Sequence, residues 1–238
     1  MFGPYLAFKE PDVLDEKVHK DLVIFQPKDF SFMKEVETVP VGFSEILPLT
    51  MYYPILIGKF QENFFPFIIM GVKKKNVYID EQGNFKVPEI PKVCKVYPFF
   101  IIKETSPKEA DWIVILDKAW AKKDEEDGEE GQRLFDELGE PTPFFQQIKK
   151  DLTELARDLQ NALDFCNELV SLKILKPINL EVVCKYGRAR LKNVYIADVE
   201  VLRKISPEKL FYLNSSGYLP LLYGMYFSAR NFKLFDIL

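Results

Sequence analysis

A chain of 238 residues, 47% hydrophobic and 29% charged, with 21 phenylalanines, has the apolar content to close a sizeable core, and this composition excludes intrinsic disorder. Its 36 acidic residues against 32 lysines and arginines give a net charge of −4, so no basic field dominates and no nucleic acid is expected as a partner. The single histidine, His19, and three widely spaced cysteines, Cys94, Cys166 and Cys184, form no Cys/His cluster, so neither a metal nor a cofactor is expected.

The segment 1–35 is broken by Pro4, Pro11 and Pro27 and reads as an irregular leader. His19 stands in its polar stretch 15–21, where a surface position is expected. Residues 36–238 read as one α+β domain with an acidic insertion at 122–131. Ser44 caps a short expected helix that runs toward Tyr53, and Pro54 then forces an extended exit. The runs Ile55 to Ile57 and Phe65 to Met70 are continuously apolar, as central, doubly covered strands are. Residues 76–87 alternate and turn at Glu81–Asn84, which predicts a hairpin with Gly83 at positive φ. Val93 to Tyr97 and Phe99 to Ile102 read as strand around Pro98, which implies an edge or a bulge. Ala110 to Asp117 is a further strand.

Thr142 and Pro143 open the clearest helix, as N-cap and first helical residue. Phe145, Ile148, Leu152, Leu155, Leu159, Leu163, Cys166 and Val170 follow a 3.6-residue period. Charges including Lys149, Arg157 and Asp158 are assigned to the opposite face, and Pro177 marks the end of the element. Two strands, 179–186 and 190–196, then pair across a turn at Gly187. Ser206 caps a short helix that Gly217 ends, and Tyr218 to Ala229 forms another. The architecture expected is a mostly antiparallel sheet with a long amphipathic helix packed on it.

The chain lacks G-x-S-x-G, G-x-G-x-x-G and P-loop patterns, and the acidic stretch fails the spacing of a calcium loop. The strongest apolar run, 63–71, is too short to span a bilayer, and residues 1–9 lack the make-up of a signal peptide. The cysteines suit buried free thiols of a reducing compartment. A cytoplasmic location is expected.

Several segments resemble the bacterial SapC-like family: Tyr53-Pro54-Ile55; Met70-Gly71 followed by 76–80 and 83–85; Tyr97-Pro98-Phe99; 134–136 and 139–141; Tyr186-Gly187-Arg188; 198–202; and 216–223. They occur in the family's order across about residues 38–232. The family usually places two arginines just before its Tyr-Pro-Phe, where this chain has Lys95 and Val96. The resemblance implies a role beside surface-layer protein production and secretion, with a surface or secretion component as protein partner. It carries over no catalytic residue. Some relatives bear a peptide-transport label that sits badly with a chain lacking a membrane span.

Four residues are candidates for ligand binding. Tyr97 could line an aromatic pocket, although aromatic rings are mainly core. Asp80 most simply shapes its turn. Arg188 and Arg190 share one face of a strand with Lys192 and could hold a small anion. An accessory or binding protein without enzymatic activity is the first reading. A small-ligand protein, or an enzyme using an aromatic, carboxylate and arginine pocket, is the alternative.

Overall fold

The computed structural model describes residues 7–60, 62–103, 112–122 and 131–238. The acidic insertion lies outside the described residues except for Lys122 and Gly131 at its ends. The first elements are β1 (Pro11–Val13), α1 (Glu16–His19), β2 (Val23–Ile24), β3 (Thr38–Pro40), α2 (Ile46–Leu49), β4 (Ile55–Phe60) and β5 (Asn63–Ile69). They are followed by β6 (Gly71–Val72), β7 (Lys75–Asn76), α3 (Lys92–Lys95), β8 (Phe99–Lys103), β9 (Trp112–Asp117), β10 (Ala121–Lys122) and β11 (Gln132–Arg133). Last come α4 (Pro143–Ser171), β12 (Leu175–Cys184), β13 (Gly187–Ala197), α5 (Val199–Arg203), α6 (Pro207–Ser215), α7 (Tyr218–Ser228) and α8 (Leu234–Ile237).

The main sheet has five strands in the order β12-β13-β4-β5-β3, each neighbouring pair antiparallel. A second sheet runs β1-β9-β8, and a small third one runs β10-β2-β11. The fold is α+β, with antiparallel sheets and one helix of 29 residues. The Thr142 hydroxyl accepts from the Phe145 amide at 3.3 Å, so α4 starts where its cap and proline place it. Its apolar stripe packs against β5, whose C-terminal half, Pro66 to Ile69, is buried throughout. Burial of consecutive residues goes with the apolar run of β5, which does not alternate. A single cluster of buried side chains joins both larger sheets to α4 and α7.

Several expectations are corrected. Residues 92–95 form a helical turn rather than a strand. Strand β7 pairs back with β6, and the expected hairpin reduces to one bridge, Ile79 to Phe85, around the Asp80–Asn84 turn. Gly83 does take positive φ there, at 86°. The helical cap at residue 44 is replaced by a 3-10 turn, Phe43–Glu45, that leads into α2. The segment before residue 36 supplies β1 and β2, each paired with strands from beyond residue 112. His19 is buried, its Nδ1 accepting from the Asp15 amide at 3.0 Å. Helix α4 ends at Ser171, and Pro177 instead sits in β12. That strand is at the sheet edge, where a missing N–H leaves no interior ladder bond unmade.

Candidate functional site

A groove of about 1270 Å³ opens between Ala7 to Lys9, the stretch from Phe25 to Val36, and the 3-10 turn Lys118–Trp120 that follows β9. Its floor is aromatic. Phe32 stacks on Tyr97 at 3.9 Å and 13°, while Phe8 and Trp120 meet the same ring edge-on at 5.2 and 6.2 Å. Trp120 Nε1 donates to the Tyr97 oxygen at 2.7 Å, and the Tyr97 hydroxyl donates to Asp117 Oδ2 at 2.6 Å.

Asp117 ends β9 with no exposed surface. Its carboxylate also accepts from the amides of Lys9 and Glu10, both at 2.9 Å, and of Ala119 at 3.2 Å. A buried carboxylate with four donors is satisfied, and here it fastens the N-terminal strand to the turn that carries Trp120. Burial pushes the Tyr97 phenol well above its ordinary value, and the bond to Asp117 adds to the rise. Tyr97 is therefore a protonated donor that builds the floor.

Lysines 9, 28, 34 and 122 line the groove together with the acids Asp29 and Glu35. Lys122 Nζ stands 5.2 Å from the centre of the Phe25 ring, and Lys34 Nζ donates to the Glu81 carbonyl at 2.8 Å. The Asp29 carboxylate accepts from the Ser31 amide at 2.7 Å, and this bond holds its carboxyl below the usual range.

The sequence-derived candidates fall in three places. Tyr97 lies under the groove. Asp80 closes its own turn, accepting from the Asn84 amide at 2.7 Å; that turn abuts the groove wall, where Phe30 N donates to Gly83 O at 2.8 Å. Arg188 and Arg190 stand on β13 and both reach Glu181 of β12, at 3.4 and 3.2 Å. Neither arginine lines the groove.

A buried polar cluster went unnoticed in the sequence. Asp158, assigned to the solvent face of α4, is buried. It accepts from the Ser44 amide at 2.9 Å, the Ser44 hydroxyl at 2.8 Å and Lys92 Nζ at 2.7 Å. Burial raises its carboxyl, but the bonds from Lys92 and Ser44 outweigh that and hold it below the usual value. Gly42 is required beside it, since a Cβ there would run into the Asp158 carboxylate. Next to it Glu45 is buried, accepts from the Lys92 amide at 3.1 Å, and leaves Oε1 without a hydrogen-bond partner. Burial pushes its carboxyl up to about 7. The signal for Asp158 was its spacing, three residues after Leu155 and in register with the buried stripe. No periodicity marks Glu45 or Lys92.

The C-terminal helices present a different surface. Leu210, Phe211 and Tyr212 of α6 and Tyr223, Tyr226 and Phe227 of α7 are exposed. The three on α7 are spaced to share one face, and the helix carries no charged residue. Tyr212 meets Tyr218 edge-on where the two helices join, and Gly224 abuts Leu47 and Thr50. Phe211 is 74% exposed and Phe227 59%. At about 200 Å² per aromatic side chain, the five rings leave on the order of 500 Å² open. The largest apolar patch on a typical monomer is about 300–600 Å² and is often functional.

A family model described as SapC matches residues 14–234. The chain belongs to the SapC family. The match takes in the groove from Phe25 onward, the Asp158 cluster and both aromatic helices of this SapC chain. No curated protein and no solved structure matches it significantly. Among the described residues, no helix is long and apolar enough to cross a membrane, and no group of three or more His, Cys, Asp or Glu is placed to hold a metal ion.

Proposed function

We propose that this SapC-family chain is a cytoplasmic, non-enzymatic accessory protein of surface-layer protein production or secretion. The observation that carries the reading is the set of exposed aromatic rings on α6 and α7, the second of which carries no charged residue; their open area is that of a functional apolar patch. Its partner is a surface-layer protein or a component that exports one. A second reading, a small-ligand protein or an enzyme built on Tyr97, Asp80, Arg188 and Arg190, draws on the aromatic floor of the groove. It is the weaker of the two, because the Tyr97 hydroxyl is engaged by Asp117 and both arginines by Glu181.

The test is co-purification of the tagged chain from its native host, beside a Phe211→Ser/Phe227→Ser variant. The wild type should bring down a surface-layer or secretion component, and the variant should lose it. Recovery of neither component, or equal recovery by both chains, defeats the proposal.

A further inference from the structure

We infer that the outer edge of β12 pairs with the same strand of a second copy of this chain, antiparallel about a twofold axis at Val182. Strand β12 ends the main sheet, and among the described residues no strand pairs with its outer side. Lys185 and Tyr186 form a two-residue loop, with Cys184 opposite Gly187, which makes these two the closing hydrogen-bonded pair. Alternation then turns the N–H and C=O of Glu181 and Val183 outward, away from β13. Only part of this edge is blunted. Pro177 and the bulge between Ile178 and Leu180 interrupt its first half, whereas Leu180 to Cys184 holds no proline, no glycine and a single charge. That charge, Glu181, is engaged by Arg188 and Arg190 of its own chain. Val183 is left 60% exposed.

The open half of the edge is complementary to itself in one register. With the axis at Val182, that residue faces its own copy, Leu180 faces the partner's Cys184, and Glu181 faces the partner's Val183. The outward amides and carbonyls of Glu181 and Val183 then bond reciprocally, and each face of one ribbon continues the same face of the other. Moving the axis to Glu181 sets two carboxylates directly opposite each other, which is destabilising. Moving it to Val183 needs the Lys185 N–H, which already donates to Asp236 Oδ1 at 2.7 Å. So short an edge buries less than the roughly 800 Å² per partner of a standard interface, so the pair is reversible and concentration-dependent. It shares no residue with the aromatic rings of α6 and α7, so either surface can fail its test without the other.

The experiment is sedimentation velocity of the full chain across a range of concentrations. The wild type should pass from monomer to dimer as concentration rises. Val183→Pro removes an outward N–H without breaking the ladder to β13, and should weaken dimerisation about tenfold or more. Val183→Glu sets a like charge against Glu181 of the partner subunit and should also weaken it, although within its own chain the new carboxylate stands opposite Arg188. Val183→Lys sets an opposite charge against the partner's Glu181 and should preserve the dimer, although within its own chain it also stands opposite Arg188. A purely local effect on the fold would order these two variants the other way. Near-UV circular dichroism establishes that all three keep the fold. A wild type that stays monomeric, including one whose edge takes up a foreign strand instead, overturns the inference. So does a dimer that Val183→Pro leaves unaltered, or one that Val183→Glu and Val183→Lys affect equally.

Discussion

Trp120 donates its indole N–H to Tyr97 at 2.7 Å, and Tyr97 in turn donates to Asp117 at 2.6 Å. One phenol thus joins a side chain of the groove to the carboxylate that pins the N-terminal strand. Tyr97→Phe keeps the ring stack but leaves the indole N–H without this acceptor and removes one donor from a buried carboxylate. The expected cost is about 1–3 kcal/mol, read from urea unfolding, with a shift in tryptophan emission in the folded state.

Glu45 gives the chain a pH dependence of definite sign. Folded, it holds its proton up to about pH 7; unfolded, it releases it near 4.5. The folded state therefore binds the extra proton between these values, and the stability this group contributes falls as pH rises through that window. Glu45→Gln does not titrate. Its stability relative to wild type should rise from about pH 4.5 to about pH 8, by up to on the order of 3 kcal/mol. Denaturant midpoints of the two chains across that range measure the difference, and a constant difference rules out Glu45 as the titrating group.

Gly42 and Asp158 should behave as a coupled pair. Gly42→Ala forces its new methyl group against the Asp158 carboxylate, at an expected cost of about 1–3 kcal/mol. In an Asp158→Ala background the same change should cost at least about 1 kcal/mol less. A double-mutant cycle by chemical denaturation gives the coupling directly.

Arg188 and Arg190 should matter little to stability. Both are well exposed and share Glu181 as partner, and exposed pairs contribute within about 1 kcal/mol. Replacing both arginines by alanine should leave the thermal midpoint nearly unchanged, and a loss of several degrees would reveal a larger role for this ribbon.

The parts of the fold that could be read in advance are those governed by local rules. Thr142 and Pro143 fix the start of α4 whatever surrounds them, and Gly217 separates α6 from α7 through its own backbone freedom. Val93 to Tyr97 misleads because a short apolar run has too few residues to distinguish a buried helical turn from a strand. His19 and Asp158 mislead differently. Polar residues are assigned outward by default, yet both are buried; His19 bonds locally to the Asp15 amide, whereas the partners of Asp158 cannot be placed until the chain is folded. Asp158 depends on Ser44, 114 positions away, and Asp117 on Lys9, 108 away. The groove was not legible in the sequence, because its walls come from opposite sides of a 108-residue separation.

The pairing of β1 with β9 also sets an order of events during synthesis. Lys9 and Glu10 leave the ribosome 108 and 107 positions ahead of the aspartate that receives their amides. At about 5–20 residues per second, that partner lags by roughly 5–20 s. Through that interval Phe8 and the residues of β1 have none of their native neighbours from β9 or its following turn. They remain open to chaperones, or to another nascent chain, until residue 117 has emerged.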